Sequence, residues 1–160
     1  MLYHGKMCGE LMNIPGHDFL FSEQIPLTLM GKYSDKGHRR LLVNNYYTSP
    51  VLAQYLLDRG TKLVGTVTPT RRNFPSELAS AALCNGQTKY AATHTGILAV
   101  KYRASCDNSN NKPKVVHMLT TDHTDATSAT GKKDSDGATI YKPKCAESML
   151  SISSWSLSLQ

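Results

Sequence analysis

The sequence predicts an α/β fold, and three observations lead there. Residues 41–70 run, in order, through an apolar strand, a capped helix, a glycine stop and a second strand. A strand–helix–strand unit of this kind normally pairs its strands in parallel through a right-handed crossover. Further on, 88–93, 97–102 and 115–121 are short runs rich in β-branched and aromatic residues, separated by polar joins. The chain of 160 residues has 40% hydrophobic and 19% charged side chains, the composition of one globular domain with length for a real core.

Taken in order, Leu2–Lys6 reads as the end of a strand whose edge, at Tyr3, is left unpaired and prone to association. Met7–Pro26, with glycine, proline and mixed polarity, reads as a loop. Leu27–Lys36 has a helical pattern that Gly31 weakens. Leu41, Leu42 and Val43 form a buried strand. Ser49 then caps free N–H groups at a helix start, and Pro50 occupies the first helical position, where no donor is needed. Leu52, Tyr55, Leu56 and Arg59 fall at helical spacing, and Gly60 stands where a helix ends in a left-handed residue. Lys62–Thr68 is a strand, 68–73 a basic turn, and Phe74–Leu83 a short helix broken by Asn85-Gly86. The stretch 104–114 is a polar loop. Residues 122–137, rich in Thr, Asp, Ser, Gly and Lys without periodicity, read as a mobile loop. Residues 146–160 alternate serine with apolar side chains around Trp155.

Eighteen Lys and Arg face twelve Asp and Glu, a net charge of +6 that suits a polyanionic partner and is equally compatible with a solvated surface. No run of apolar residues is long enough to span a bilayer, and the first residues lack the apolar core of a secretory signal. The expected location is nuclear or cytoplasmic, not secreted. Cys8, Cys84, Cys106 and Cys145 lie far apart, which favours free thiols over disulfides or a zinc site. There is no phosphate-binding glycine loop and no nucleophile elbow. Asp122, His123 and Asp125 are close in sequence but lack a spaced fourth ligand, so a polar loop is the favoured reading over a metal site. Tyr46 and Tyr47 are expected in the core, with base stacking by one of them as the alternative.

In open α/β sheets, chemistry gathers at the carboxyl ends of strands. Asn44 and Asn45 occupy that end of the first strand of the unit. Here a specific resemblance enters. NNYYTSPVLAQYLLDRGTKLVGTV at 44–67 resembles the core of piggyBac-type transposases, whose pattern is an Asp-Asn pair, two aromatics, Thr-Ser, a helix and Val-Gly-Thr-Val. TPTRRNFPSEL at 68–78 continues it, LYHGK at 2–6 resembles the family's Ile-Tyr-Thr-Gly-Lys strand end, and VVHMLTTDHTDA at 115–126 resembles a later Met-Leu-Ser-Thr segment. The resemblance runs, with gaps, from about Leu2 to Ala126 and fades after IYKPKC at 140–145, where the family opens a helix with Gly-Gly-Val-Asp.

The resemblance implies a partial ribonuclease-H-like transposase core over 1–126, with a β-rich insertion at about 88–121. Residues 127–160 are then a flexible, aberrant tail, as a frame shift or an alternative exon end would leave. The family's reaction is DNA cleavage and strand transfer by metal held on three aspartates, since hard cations such as Mg²⁺ take oxygen ligands and two of them activate the attacking and leaving oxygens. The first aspartate falls upstream of Met1, the second falls on Asn44, and the third belongs to the absent Gly-Gly-Val-Asp helix start. The expectation is a catalytically inactive fragment, not an enzyme, with no metal, no small-molecule cofactor and no membrane partner. DNA is the expected partner, bound weakly and salt-sensitively through Arg71, Arg72, Lys101 and Arg103. The alternative is a retained non-catalytic module that binds DNA or a protein.

Overall fold

The computed structural model describes residues 11, 14–31, 33, 38–104, 114–133, 137 and 139–153. The strand expected at Leu2–Lys6 with its Tyr3 edge, most of the 104–114 loop and the segment around Trp155 lie outside the described residues.

Helix α1, Phe21–Met30, opens the described chain. The sequence predicts a loop through Pro26 and a helix over Leu27–Lys36; the helix starts six residues earlier and stops at Gly31. Its start is built by Glu23, whose carboxylate accepts the Leu20 N–H at 2.8 Å. Pro26 lies inside the helix, which is why the segment reads as loop. Gly31 takes φ +47°, a conformation glycine adopts readily, so it ends the helix rather than weakening its interior.

Strand β1 (Arg39–Val43) leads into α2 (Pro50–Asp58) and then β2 (Thr61–Thr66). β1 and β2 pair in parallel, Leu41 opposite Leu63 and Val43 opposite Gly65, as the strand–helix–strand order predicts. The Ser49 hydroxyl accepts the Leu52 N–H at 3.0 Å, and Gly60 turns the chain at φ +71°. Leu52 and Leu56 are fully buried. A short helix α3 (Ser76–Ser80) precedes β3 (Thr88–Ala92), β4 (Leu98–Arg103) and β5 (Val115–Thr120). These three strands join the same sheet as β1 and β2. The order is β1-β2-β5-β4-β3, with β5 antiparallel to both β2 and β4.

Residues 122–137 are not loop throughout. Thr127–Lys133 forms β6, antiparallel to β7 (Thr139–Pro143), in a separate two-stranded sheet. Its threonines, serine and glycine show no apolar alternation, so the strand exists by pairing with a partner rather than by its own pattern. Helix α4, Lys144–Ser153, follows. Apolar side chains cover the large sheet on both faces. One face packs Leu52, Leu56, Phe74 and Leu78 against Val43, Leu63 and Leu119. The other packs Val64, Val100 and Met118 against Cys145, Ala146 and Met149 of α4. The result is three layers, α2 and α4 enclosing the sheet, with the β1–α2 turn at one end of it.

Candidate functional site

The turn from Asn44 to Ser49 joins β1 to α2 at the carboxyl end of β1. Asn44 is exposed. Its Oδ1 accepts the Tyr46 N–H at 3.1 Å, and its carbonyl accepts from the N–H of Tyr47 at 3.2 Å and of Thr48 at 3.1 Å. The Thr48 hydroxyl adds a bond to the same carbonyl at 2.8 Å. This is an Asx-type turn, a geometry that Asn and Asp support equally through one side-chain oxygen. Tyr47 packs against the core, while Tyr46 is 55% exposed with its ring edge on Tyr47, a correction to the expectation that both are core.

A second set of groups closes the turn from behind. Arg71 donates to the carbonyls of Thr48 at 3.0 Å, Asn45 at 3.3 Å and Tyr46, and reaches the Ser22 hydroxyl at 3.4 Å. One guanidinium, with its rigid fork of donors, thus ties the turn to α1 and to the segment after β2. Gly65 lets the turn approach: a Cβ there would lie 2.3 Å from Thr48 Oγ1 and 2.7 Å from the Val43 carbonyl. Neither Arg71 in this role nor Gly65 is readable from the sequence, because both act across distant segments.

The other cations named from the sequence are also engaged within the chain. Arg72 pairs with the Asp18 carboxylate at 3.0 Å and donates to the Asp18 carbonyl at 2.8 Å. Lys101 is 7% exposed, and its ammonium donates to the carbonyls of Ala79 and Ala81, both at 2.6 Å, at the end of α3. Arg103 donates to the Leu83 carbonyl at 3.1 Å. Lys101 and Arg103 stand two residues apart on β4 and hold the segment after α3; Arg71 and Arg72 hold the β1–α2 turn and the chain before α1.

Around Asp122 the groups are likewise internally paired. Arg40 forms an ion pair with Asp122, and His123 Nε2 lies 3.0 Å from the Ser148 hydroxyl and 3.9 Å from the Asp122 carboxylate. Burial holds the His123 imidazole below its ordinary value; Arg40 and Lys144 push the same way, against Asp122. His117 is lowered by burial and then by Lys101. Burial raises Tyr90, and it pushes the Cys145 thiol up to about 11. Among the described residues no three His, Cys, Asp or Glu side chains come together as a metal site. Cys84 and Cys145 are free thiols, and among the described residues no helix is long and apolar enough to cross a membrane. Beside Asn44 lies a groove of about 410 Å³ lined by Ile25, Leu29, Leu41, Val43 and Tyr47, an apolar wall rather than a cage of oxygen donors. At the turn itself, the Asn44 side chain offers one neutral amide oxygen, already accepting a hydrogen bond, where hard-cation sites commonly place carboxylates.

The family model described as transposase IS4 matches residues 7–148. This chain belongs to the transposase IS4 family. The match takes in β6, β7 and the first half of α4, beyond the stretch from about Leu2 to Ala126 that carries most of the motif resemblance. Among solved structures, the transposase-family chain is similar to the piggyBac transposase in the cryo-EM structure of its synaptic complex with hairpin DNA. The TM-score is 0.57 at 22% sequence identity, over 79% of this chain and 24% of that one. The α/β fold is thus that of part of the piggyBac transposase, and the chain spans about a quarter of that structure's length. No curated protein matches the chain.

Proposed function

We propose that this chain is a piggyBac-type transposase remnant on a partial ribonuclease-H-like core that neither cuts nor joins DNA and binds it weakly. One observation carries the inactive reading. The turn after β1 is built as a chemically useful strand end, yet the residue in it is Asn44, neutral and occupied by the Tyr46 N–H. Two-metal strand cleavage needs anionic oxygens to hold the cations that stabilise the attacking and leaving oxygens at the scissile phosphate. An amide cannot offset a dication. The DNA-binding reading is supported by the net charge of +6 and by the DNA complex in which the similar transposase was determined. Of the four cations named from the sequence, Arg72 is the freest to exchange its partner, because its ion pair joins a 41% exposed side chain to a 91% exposed carboxylate, and such pairs are worth little. Exposed Phe21 and Leu29 on α1 favour a second reading, a non-catalytic protein-interaction module.

The test is a plasmid-nicking and hairpin-formation assay with Mg²⁺ and with Mn²⁺, on the chain itself and on Asn44→Asp. Neither protein should cut, since a single restored carboxylate does not complete a two-metal site. Metal-dependent nicking that survives removal of contaminating nucleases overturns the inactive reading.

A further inference from the structure

The β6–β7 hairpin stands outside the large sheet, and its two faces differ. Cross-strand pairs share a face, and Ala129 lies opposite Tyr141 while Lys133 lies opposite Thr139. Tyr141 and Thr139 are two residues apart on β7, so both pairs lie on one side of that strand, separated on β6 by an irregularity at Gly131 (φ +72°), and all four residues are exposed. The opposite surface carries buried Ile140. An aromatic ring, 54% exposed, therefore stands on a strand face whose neighbours are small or cationic. Elsewhere the exposed tyrosines have ring partners, Tyr46 on Tyr47 and Tyr33 under Arg39, whereas Tyr141 has none among the described residues. Lys133 and Lys142 have no anionic partner among the described residues either, and Glu147, close to the hairpin, is taken by the Ser128 hydroxyl at 2.5 Å. The sequence of 127–144 holds four lysines against two aspartates.

We propose that this face is a stacking platform for an unpaired base of single-stranded DNA, with Tyr141 as the ring and Lys133 as a phosphate contact. The proposal rests on the DNA-binding reading above and places that contact on a surface the sequence motifs did not single out. The physical case is that every base offers a π-face to an exposed aromatic, while nearby lysines attract the backbone without reading sequence. The small residues Ala129 and Thr139 leave the ring accessible, and Lys133 on the same face supplies the charge a purely protein-binding apolar patch would lack.

Fluorescence anisotropy on the full chain, with a labelled twenty-nucleotide oligo-dT and with a duplex of equal length, tests it. The chain should prefer the single strand at low salt. Tyr141→Ala should weaken that binding by on the order of tenfold, while Tyr141→Phe should retain it. Lys133→Gln should lower the salt slope by about one. Thermal melts of the variants should match the parent, because both side chains are exposed. If the chain binds DNA and Tyr141→Ala binds the single strand as tightly as the parent does, the platform is overturned and the DNA-binding reading stands. If neither DNA binds at low salt, both fall. If Tyr141→Ala abolishes self-association by sedimentation and leaves DNA affinity untouched, the face belongs to a protein contact and the proposal is overturned.

Discussion

Gly65 shows how much one missing methyl can decide. The carbonyl of Val43 and the hydroxyl of Thr48 occupy the space where a Cβ would stand, and one of the two atoms is backbone. Gly65→Ala must therefore push β1 or the turn away, and overpacking of this kind costs roughly 1–3 kcal/mol. Urea unfolding should reveal a lower midpoint with an unchanged slope. Ser49→Ala removes the hydroxyl that accepts the Leu52 N–H and should cost about 1 kcal/mol by the same measurement. Asn44→Asp should be nearly silent in stability, because either residue presents the oxygen that Tyr46 N–H requires.

For the helices and strands, α2 is fixed to the sheet by Leu52, Ala53, Tyr55 and Leu56, all buried. Leu56 is fully buried between the helix and the sheet, and Leu56→Ala should destabilise the chain by roughly 2–5 kcal/mol in chemical unfolding. A loss below about 1 kcal/mol would contradict its place in the core. This unit was legible because each of its signals is local: Ser49 and Pro50 start the helix, Gly60 ends it, and the flanking runs are apolar. The beginning of α1 was not, since Pro26 and the early polar residues mimic a loop while Glu23 builds the start by reaching back to Leu20. β6 was illegible for a different reason. Its register is set by Tyr141 and Thr139 on the partner strand, and no period within TSATGKK announces it. At the turn, the position of Asn44 could be read from the strand before it and the motif around it. The grip of Arg71 on the turn's carbonyls could not, because nothing in the sequence says which cations stay inside. Lys101, which reads as a surface cation, is instead closed over by the end of α3.

The molecule as a whole should lose stability on mild acidification. His117 and His123 titrate below their ordinary 6.5 in the folded chain, so unfolded imidazoles bind protons that folded ones refuse. Above that value neither state is protonated and these groups contribute no pH dependence. As pH falls below it, the unfolded state gains, until the folded pKa values are reached. Tm should be level near pH 7.5 and decline toward pH 5.5, and His117→Phe, which keeps a ring against Phe74, should flatten the decline. An identical Tm at both pH values contradicts this. The surface also carries Leu20, Phe21 and Leu29 exposed on and beside one helix, near the apolar groove lined by Leu29 and Leu41. Sedimentation should therefore show association that grows with concentration, reduced in Phe21→Ser and Leu29→Ser.

The Asn44–Ser49 turn owes its shape to everything except the identity of an acid at its head. Backbone carbonyls, a threonine hydroxyl, an arginine from a distant segment and a glycine on the next strand define it. Selection for a folded chain then acts on Arg71 and Gly65 and is nearly blind to Asn versus Asp at position 44. On the proposed reading, the charge at position 44 and the architecture around it are separable: one can change in a single step while the other stays as it is.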